Sequence, residues 1–441
     1  MLDIQVNGGN GLLFNDITTL DEFLRIELKY LKDAKCFIIP TFITDSNEKL
    51  KKFVDLVLQR IKFNEKQYTI GDNNIILPEL FGVHFEGPFI TNKGTHPQQY
   101  LKEFNDKNVN EFIEIVKPLK NLKIYLTIAP ELLLKNFINS KILIKKLKDN
   151  FDIILSAGHT KITKYDFKNI QNRLGEDKFR MLTHFHNAML EGHLIENIEG
   201  IPSYLIENNY DGYIGLITDG QHTGKGELLP TLLNFYDKIC VVSDGTSVSC
   251  CKIYNNTLYE MGGNVSVVEQ KNNELPSFFW TDFSKDKNFH EKDLEKVYEW
   301  YIKGEVGYKT LAGSAVTIRQ CYEFLKNLNI EEEISKSKLN LKSKKWLEIG
   351  LRKNNLIEDV DKIRSFINNY IDNMFFENPI KALKIDENIR NYKFLDNKVY
   401  KNDKIFIDFN LNFDGFLNQI IPDQTILKEK LLDNLRKFIN I

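Results

Sequence analysis

Eight short apolar runs, most of them separated by helical stretches, constrain this chain more than any other feature of its sequence. They are Ile4–Val6, Cys36–Ile43 (CFIIPTFI), Leu80–Phe85 (LFGVHF), Lys123–Ile128 (KIYLTI), Ile153–Ser156 (IILS), Met181–Phe185 (MLTHF), Tyr213–Ile217 (YIGLI) and Ile239–Ser243 (ICVVS). They are rich in Ile, Val, Leu, Phe and Tyr, and most are too continuous for a strand with one wet face. Such runs suit a parallel sheet buried on both sides. Between them, Thr19–Asp33, Asn47–Phe63, Asn108–Val116, Ser140–Lys148 and Lys164–Leu174 read as helices. The alternation predicts an α/β fold, a TIM (β/α)8 barrel. Periodicity alone leaves a doubly wound open sheet as the alternative. With 441 residues, 42% of them hydrophobic, the chain can fill a core of that size.

The pattern changes after the eighth run. Lys252–Val268 reads as a β-hairpin turning at Gly262-Gly263-Asn264, and Leu311–Leu328 as an amphipathic helix. Ile330–Asn373 is helical and highly charged, and 329–372 reads as a solvated helical insertion. Short strand-like segments return over 388–413, and Ile426–Ile439 reads as a polar helix. The expected organisation is a barrel over 1–385, including the insertion, then a small, incomplete β domain of C-terminal strands with a final helix over 386–441.

The polar residues decide between the two architectures. Seven of the eight histidines lie between positions 84 and 222, several at the C-terminal ends of predicted strands. Strand three ends in His84-Phe85-Glu86, strand five in Gly158-His159, strand six in Thr183-His184, strand seven leads into Asp219-Gly220-Gln221-His222, and strand eight ends in Ser243-Asp244. One histidine at a strand end is more often a hydrogen-bonded structural residue. Five polar groups delivered to one rim point instead to chemistry, which a TIM barrel builds at that end. Imidazole nitrogen and carboxylate oxygen are normal ligands of a divalent metal, and Glu86, His159 and His184 would supply a three-ligand set. Asp244 would accept a proton from the attacking water and return it to a leaving nitrogen. His222 is the candidate donor to a developing oxyanion.

Charge and cysteine usage narrow the setting. A formal net charge of −2 does not indicate a nucleic-acid-binding protein. The five cysteines, Cys36, Cys240, Cys250, Cys251 and Cys321, show no disulfide-framework spacing, which fits a reducing compartment. Only Cys251, just past the strand-eight loop, is expected to show metal or redox sensitivity. Neither a signal peptide nor a membrane-spanning run is read, so the expected location is the cytoplasm.

At these positions the chain resembles the N-acetylglucosamine-6-phosphate deacetylases of the amidohydrolase superfamily. The matching segments, in family order, are DIQVNGG (3–9), PTFIT (40–44), GVHFEGPFI (82–90), KGTHP (93–97), TIAPE (127–131), SAGHT (156–160), THFHNAM (183–189), TDGQHT (218–223), SDGTS (243–247) and KTLAGS (309–314). SAGHT or SDG alone would be weak; HFEGPF with THxxNAM and DGxHT is specific. The resemblance implies that Glu86, His159 and His184 bind one divalent ion, Zn2+ or Fe2+. It implies Asp244 as general base and acid, and His222 as the contact to the substrate carbonyl. His96 would be a second substrate-binding histidine. Asn187 and Ala188 would touch the sugar phosphate, and Leu311 and Ala312 would line the acetyl pocket. It also implies a homodimer acting on a small amino-sugar phosphate, with no nucleic-acid or membrane partner.

The chain departs from the family pattern at four places. Gln5 and Asn7 stand where many superfamily members have an HxH pair, which implies a single metal with Gln5 near a ligand or water. The family's first fifty or so residues, half of a small β-sandwich, have no counterpart before strand one, so the tail strands are expected to lack their usual partners. The run directly after Asn187-Ala188-Met189, Leu190–Ile195, holds no arginine, leaving His193 or Lys225 to meet a phosphate. The 329–372 segment is longer than its family equivalent. His186 is read as a loop or supporting residue more than a ligand. Deacetylation of another N-acetyl amino sugar, or an inactive sugar-binding paralogue, stays open beside the leading reading.

Overall fold

Leu2–Val6 (β1), Phe37–Ile43 (β2), Val83–Glu86 (β3), Ile124–Ile128 (β4), Ile153–Ala157 (β5), Met181–Leu182 (β6), Tyr213–Ile217 (β7) and Ile239–Val242 (β8) pair in parallel, in chain order, as one eight-stranded sheet. The sheet closes on itself through a parallel bridge between Val6 and Gly245, where the N–H groups of Asn7 and Gly8 reach Gly245 O at 2.7 and 3.1 Å. The fold is therefore the TIM barrel and not the open sheet. The computed structural model describes all residues except 192–193, 195–197, 209, 224–225, 254–255, 262–263, 271–274, 283–293, 304–307, 312, 412, 414 and 440–441.

The crossover helices include α1 (Leu20–Lys29), α2 (Asn47–Ile61), α3 (Asp106–Val116), α4 (Phe137–Asn150), α5 (Lys164–Leu174), α6 (Ile201–Glu207) and α7 (Leu228–Phe235). Side-chain oxygens of Thr19, Ser46, Asn105 and Thr163 accept backbone N–H groups in the first turns of α1, α2, α3 and α5, which fixes where those helices start. Two faces of each strand are used. On β3, Phe85 points outward against Phe53 and Phe112, while His84 lies among Thr41, Thr127 and Tyr125. Inside the barrel, Ile4, Ile39, Tyr125, Ile154, Met181 and Cys240 form an apolar layer. Above it, the hydroxyls of Thr41, Thr127, Ser156 and Thr183 link through His84 and Tyr125 in a fully buried polar layer.

Arg60 on α2 is fully buried and bridges to α1. Its Nε and Nη2 each donate to Glu27 at 2.6 Å, and it also reaches Pro78 O and Asn64. Arg60→Ala would strand the Glu27 carboxylate, and a loss of about 3–5 kcal/mol of stability is expected in urea unfolding. A loss under about 1 kcal/mol would mean that water or another donor satisfies Glu27.

Beyond β8, Leu258–Met261 (β9), Asn264–Glu269 (β10), Ser277–Asp282 (β11) and Tyr308–Leu311 (β12) form an antiparallel sheet. One face, with Tyr259, Met261 and Val268, packs on Leu13, Ile43 and Val248 at the barrel mouth. The other, with Leu258, Val265 and Val267, packs on Val297 and Tyr301 of α8 (Leu294–Lys303) and on the final helix. The helix expected over Leu311–Leu328 is corrected: Leu311 ends β12, and α9 starts only at Ile318 and runs to Lys326. The intervening residues dock instead on the end of β8, where Ser314 N donates to Asp244 O and Ser314 O accepts from Thr246 N, both at 3.1 Å.

The charged segment folds as α10 (Ile330–Ser337), α11 (Leu341–Lys353) and α12 (Val360–Asp372), followed by α13 (Asn378–Leu383). It is not solvated on all sides. Trp346 on α11 is buried, its carbonyl accepts from Asn234 of α7 at 2.8 Å, and Gly350 lies against Leu233 so closely that a Cβ would meet it at 2.7 Å. The segment thus serves as a further layer of the barrel's helical shell, with its charges on the outer faces.

The last residues separate. Tyr392–Leu395 (β13), Lys398–Lys401 (β14) and Lys404–Asp408 (β15) form a meander at the N-terminal end of the barrel. There Tyr392 packs on Phe37 and Phe81, and β15 lies beside a hairpin strand, Asn73–Ile76. That hairpin, Gln67–Ile70 with Asn73–Ile76, supplies cover that the tail strands were expected to lack. The final helix, α14 (Gln424–Ile439), does not join the meander; Leu427, Leu431 and Leu432 pack on the sheet of β9–β12. Among the described residues, no helix is long and apolar enough to cross a membrane.

Candidate metal centre and active site

The strand ends deliver their polar groups through local backbone geometry that a sequence does not display. His159, His184 and Asp244 have φ of 47, 28 and 52°, in the left-handed region that L-residues seldom adopt. Each turns the chain as it leaves its strand. Strained positions of this kind cost about 1–3 kcal/mol and cluster at functional sites. Glu86 ends β3 without that turn, but the next residue, Gly87, has φ 89° and a Cβ there would lie 2.1 Å from Thr44 Oγ1. Only glycine fits in GVHFEGPFI at that point.

Three donor atoms converge. Glu86 Oε1 is 3.1 Å from His159 Nε2 and 2.8 Å from His184 Nε2, and the two nitrogens are 3.0 Å apart. All three residues are buried. Two imidazole lone pairs cannot share this space unless a cation lies between them. A hydrogen bond behind the His159 ring settles which of its nitrogens can bind, while His184 Nδ1 is buried without a partner. His159 Nδ1 lies 2.6 Å from Asn92 O, an acceptor, so Nδ1 carries the proton and Nε2 is free to ligate. The triad therefore fits a divalent ion with mixed nitrogen and oxygen ligands.

Burial opposes the charged ring of His184, but the bond and charge of Glu86 outweigh it and push His184 up to about 8. Burial would also raise Glu86, yet the bonds and charges of His159 and His184 hold it well below the usual carboxylate range.

Glu86, His96 and His159 also bring one donor atom each within 4.8 Å of one another. His96 is the poorer ligand. Its Nδ1 accepts Thr44 N–H at 3.3 Å, so the neutral ring carries its proton on Nε2, which lies 3.9 Å from Glu86 Oε2. Burial holds His96 neutral, down to about 3. An Nε2–H aimed into the site suits a substrate oxygen better than a metal. Its loop also covers the centre: Gly94 has φ 52°, and a Cβ there would stand 3.0 Å from His159 Cε1.

Gln5 and Asn7 face Asp244. A bulge in β1, one extra residue between Asp3 and Val6 against Ile38 and Pro40, re-aims the strand towards the mouth. Gln5 Nε2 then donates to Asp244 Oδ1 at 3.0 Å and to Glu86 Oε1 at 3.2 Å, and Asn7 Nδ2 donates to Asp244 Oδ1 at 2.8 Å. The expected contact of Gln5 with a ligand-set residue is present. That of Asn7 was not read from sequence, although its place two residues after Gln5 was the available signal. Gln5 Oε1, Asn7 Oδ1 and Asn187 Nδ2 are buried without a protein partner, so polar groups remain for a ligand or water. Burial, then the charge of Glu86, push the Asp244 carboxyl up to about 6.

His222 lies on the loop after β7, its charge felt by Asp244 and His184. Asn187 and Ala188 follow His184 in a tight turn, with Ala188 at φ 48° and its carbonyl accepting Thr160 N–H at 2.9 Å. Leu311, at the end of β12, is followed three residues later by Ser314, which bonds to Asp244. Ala312, His193 and Lys225 lie outside the described residues.

His186 does not join the centre. Strand six was expected to run to Phe185, but β6 ends at Leu182. His186 has φ 76°, its Nε2 is 2.9 Å from Thr231 Oγ1 on α7, and its ring lies 6.3 Å from Trp346. It belongs to the helical shell. Burial pushes the Cys251 thiol up to about 12, and its Sγ donates to Ser247 O at 3.4 Å.

No family model matches the chain. The N-acetylglucosamine-6-phosphate deacetylase of Haemophilus influenzae is 26% identical over 250 residues, 56% of this chain and 58% of that protein. The N-acetylgalactosamine-6-phosphate deacetylase of Shewanella sp. is 27% identical over 225 residues, 50% and 49% of the two chains. The chain thus matches about half the length of these curated relatives. The crystal structure of N-acetylglucosamine-6-phosphate deacetylase from Pasteurella multocida superposes with a TM-score of 0.56 at 19% identity, over 92% of this chain and 82% of that one. The Mycobacterium smegmatis enzyme gives 0.55 at 16% identity, over 87% and 77%. The same motifs that lie in family order along the sequence meet at one barrel mouth, and in both sequence and fold the chain is similar to the N-acetylglucosamine-6-phosphate deacetylases.

Proposed function

We propose that the protein hydrolyses the N-acetyl group of N-acetylglucosamine 6-phosphate to glucosamine 6-phosphate and acetate, as a cytoplasmic homodimer with one divalent ion per chain. The observation that carries this is the convergence of Glu86, His159 and His184 beside Asp244, in a chain similar to such deacetylases. Glu86, His159 and His184 would hold the ion, Zn2+ or Fe2+. Once bound, it supplies Lewis acidity and lowers the pKa of water to about 7. Asp244, held by Gln5 and Asn7, takes the proton of the attacking water as its oxygen bonds to the acetyl carbon. When the C–N bond breaks, Asp244 returns that proton to the departing nitrogen. His222 donates to the carbonyl oxygen as charge develops there.

His96 Nε2–H and Asn187 Nδ2 are donors for the sugar, with Ala188 beside them and Leu311 next to the acetyl methyl group. A second reading keeps the chemistry and changes the sugar, to N-acetylgalactosamine 6-phosphate or an unphosphorylated amino sugar. The Shewanella relative and the lack of an arginine in the run 190–195 favour it.

Acetate release by the purified chain, chelated and then resupplied with Zn2+ or Fe2+, tests both. Metal-dependent release from N-acetylglucosamine 6-phosphate, at a kcat/KM at least about tenfold above the galacto isomer and the free sugar, is expected; each tenfold step is about 1.4 kcal/mol of transition-state binding. A preference for either competitor would select the second reading, and no release with any metal would sink both.

A further inference from the structure

The loop after β7 holds a carboxylate that the chemistry above does not use. Asp219 is 3% exposed. Its Oδ1 accepts the backbone N–H groups of Gln221 and His222, both at 2.9 Å. Its Oδ2 lies 2.6 Å from His222 Nδ1 and 3.4 Å from Ser314 Oγ. Two backbone bonds lock the carboxylate plane, so Oδ2 cannot swing away from the ring without breaking them.

That contact decides the ring's protonation pattern. An ionised carboxylate only accepts, so Nδ1 must carry a proton, and Nε2 is the one ring position left for a substrate. With Nδ1 protonated, a neutral ring would offer a lone pair at Nε2. Only the imidazolium offers a donor there. The other charged groups facing the ring are Asp244, at the end of β8, and His184, at the end of β6. Asp219 and Asp244 favour the charged ring; burial and His184 oppose it.

We propose that Asp219 is a positioning residue: it locks the rotation of His222, keeps the proton on Nδ1 and so makes Nε2 a charged donor to the substrate oxygen. The inference rests on the deacetylase reading for its substrate, but the pairing itself can be read without turnover. In the full-length protein with 15N-labelled histidine, the His222 Nδ1 proton is expected as a low-field resonance that disappears in His222→Gln. Asp219→Asn keeps an oxygen for the two backbone donors and turns its amide towards Nδ1. The ring then becomes a neutral Nε2–H tautomer, and the resonance should vanish.

In the metal-loaded enzyme, kcat on N-acetylglucosamine 6-phosphate should fall at least about tenfold in Asp219→Asn. In Asp219→Ala it should fall by about 100-fold, the usual scale for losing an oxyanion donor. KM and bound metal should stay within about twofold, because the residue touches neither ligand set nor sugar. A wild-type protein lacking the resonance, or variants with undiminished kcat, would overturn the proposal. So would losses explained by KM or metal content. If the wild type releases no acetate, the deacetylase reading fails while the resonance still decides the pairing.

Discussion

Asp244→Asn is expected to lower kcat for acetate release by about 10³-fold, because one group would lose both its base and its acid role. The fold should survive. Gln5 and Asn7 are both donors to Asp244 Oδ1, and an asparagine oxygen can accept the same two bonds. Bound metal should stay within about twofold of wild type, since the three converging donor atoms are untouched. The pH profile gives a second readout. The carboxylate is the active base, and burial places Asp244 at about 6 in the metal-free protein, with a bound cation pulling it lower. Activity should therefore fall as pH drops through a value at or below about 6, with a slope of one proton. The residual activity of the asparagine variant should lack that limb. A variant within about threefold of wild-type kcat would mean that another residue moves the proton.

Glu86→Gln is expected to remove metal binding and, with it, measurable turnover. Residues that only orient a metal ligand are typically worth 10–100-fold in affinity, so losing a ligand should exceed about 100-fold. The metal-free protein adds a linked prediction. His184 sits at about 8 there, held up by Glu86. Metal must displace that proton, because the same Nε2 cannot hold both. Metal affinity of the wild type should thus fall about tenfold for each pH unit below about 8, and level off above it. Glu86→Gln also removes the charge that raises His184, so its residual binding should be less steep with pH. Titration calorimetry in buffers of different protonation enthalpy measures both. Unchanged affinity in Glu86→Gln would move the metal to a different set of side chains.

What the sequence by itself determined was the alternation of elements and the residue types at the strand ends. Continuous apolar runs alternating with helical stretches read as strands buried on both faces, and the polar residues that stop five of them then gather at one rim. That is enough to reach a barrel and to bring forward Glu86, His159, His184, His222 and Asp244. It is not enough to say which way a side chain points after its strand ends. His184 and His186 look equivalent at a spacing of two, but β6 stops at Leu182 and the turn sends one ring to the centre and the other into the shell beside Trp346. Gln5 and Asn7 read as a missing metal pair, yet a bulge in β1 makes them the clamp on Asp244.

Tertiary contacts also decided the outer parts. Charge density made 329–372 read as solvated, because composition averages over a helix and hides the one face where Trp346 and Gly350 meet α7. Leu311–Leu328 read as one helix because its apolar spacing is right, but Ser314 is needed at the end of β8, and pairing there outweighs helix propensity. Local pattern fixes what an element is when burial is uniform along it. Where a side chain is met by a residue far along the chain, as Asp219 is by Ser314, only the folded arrangement determines the chemistry those residues can do.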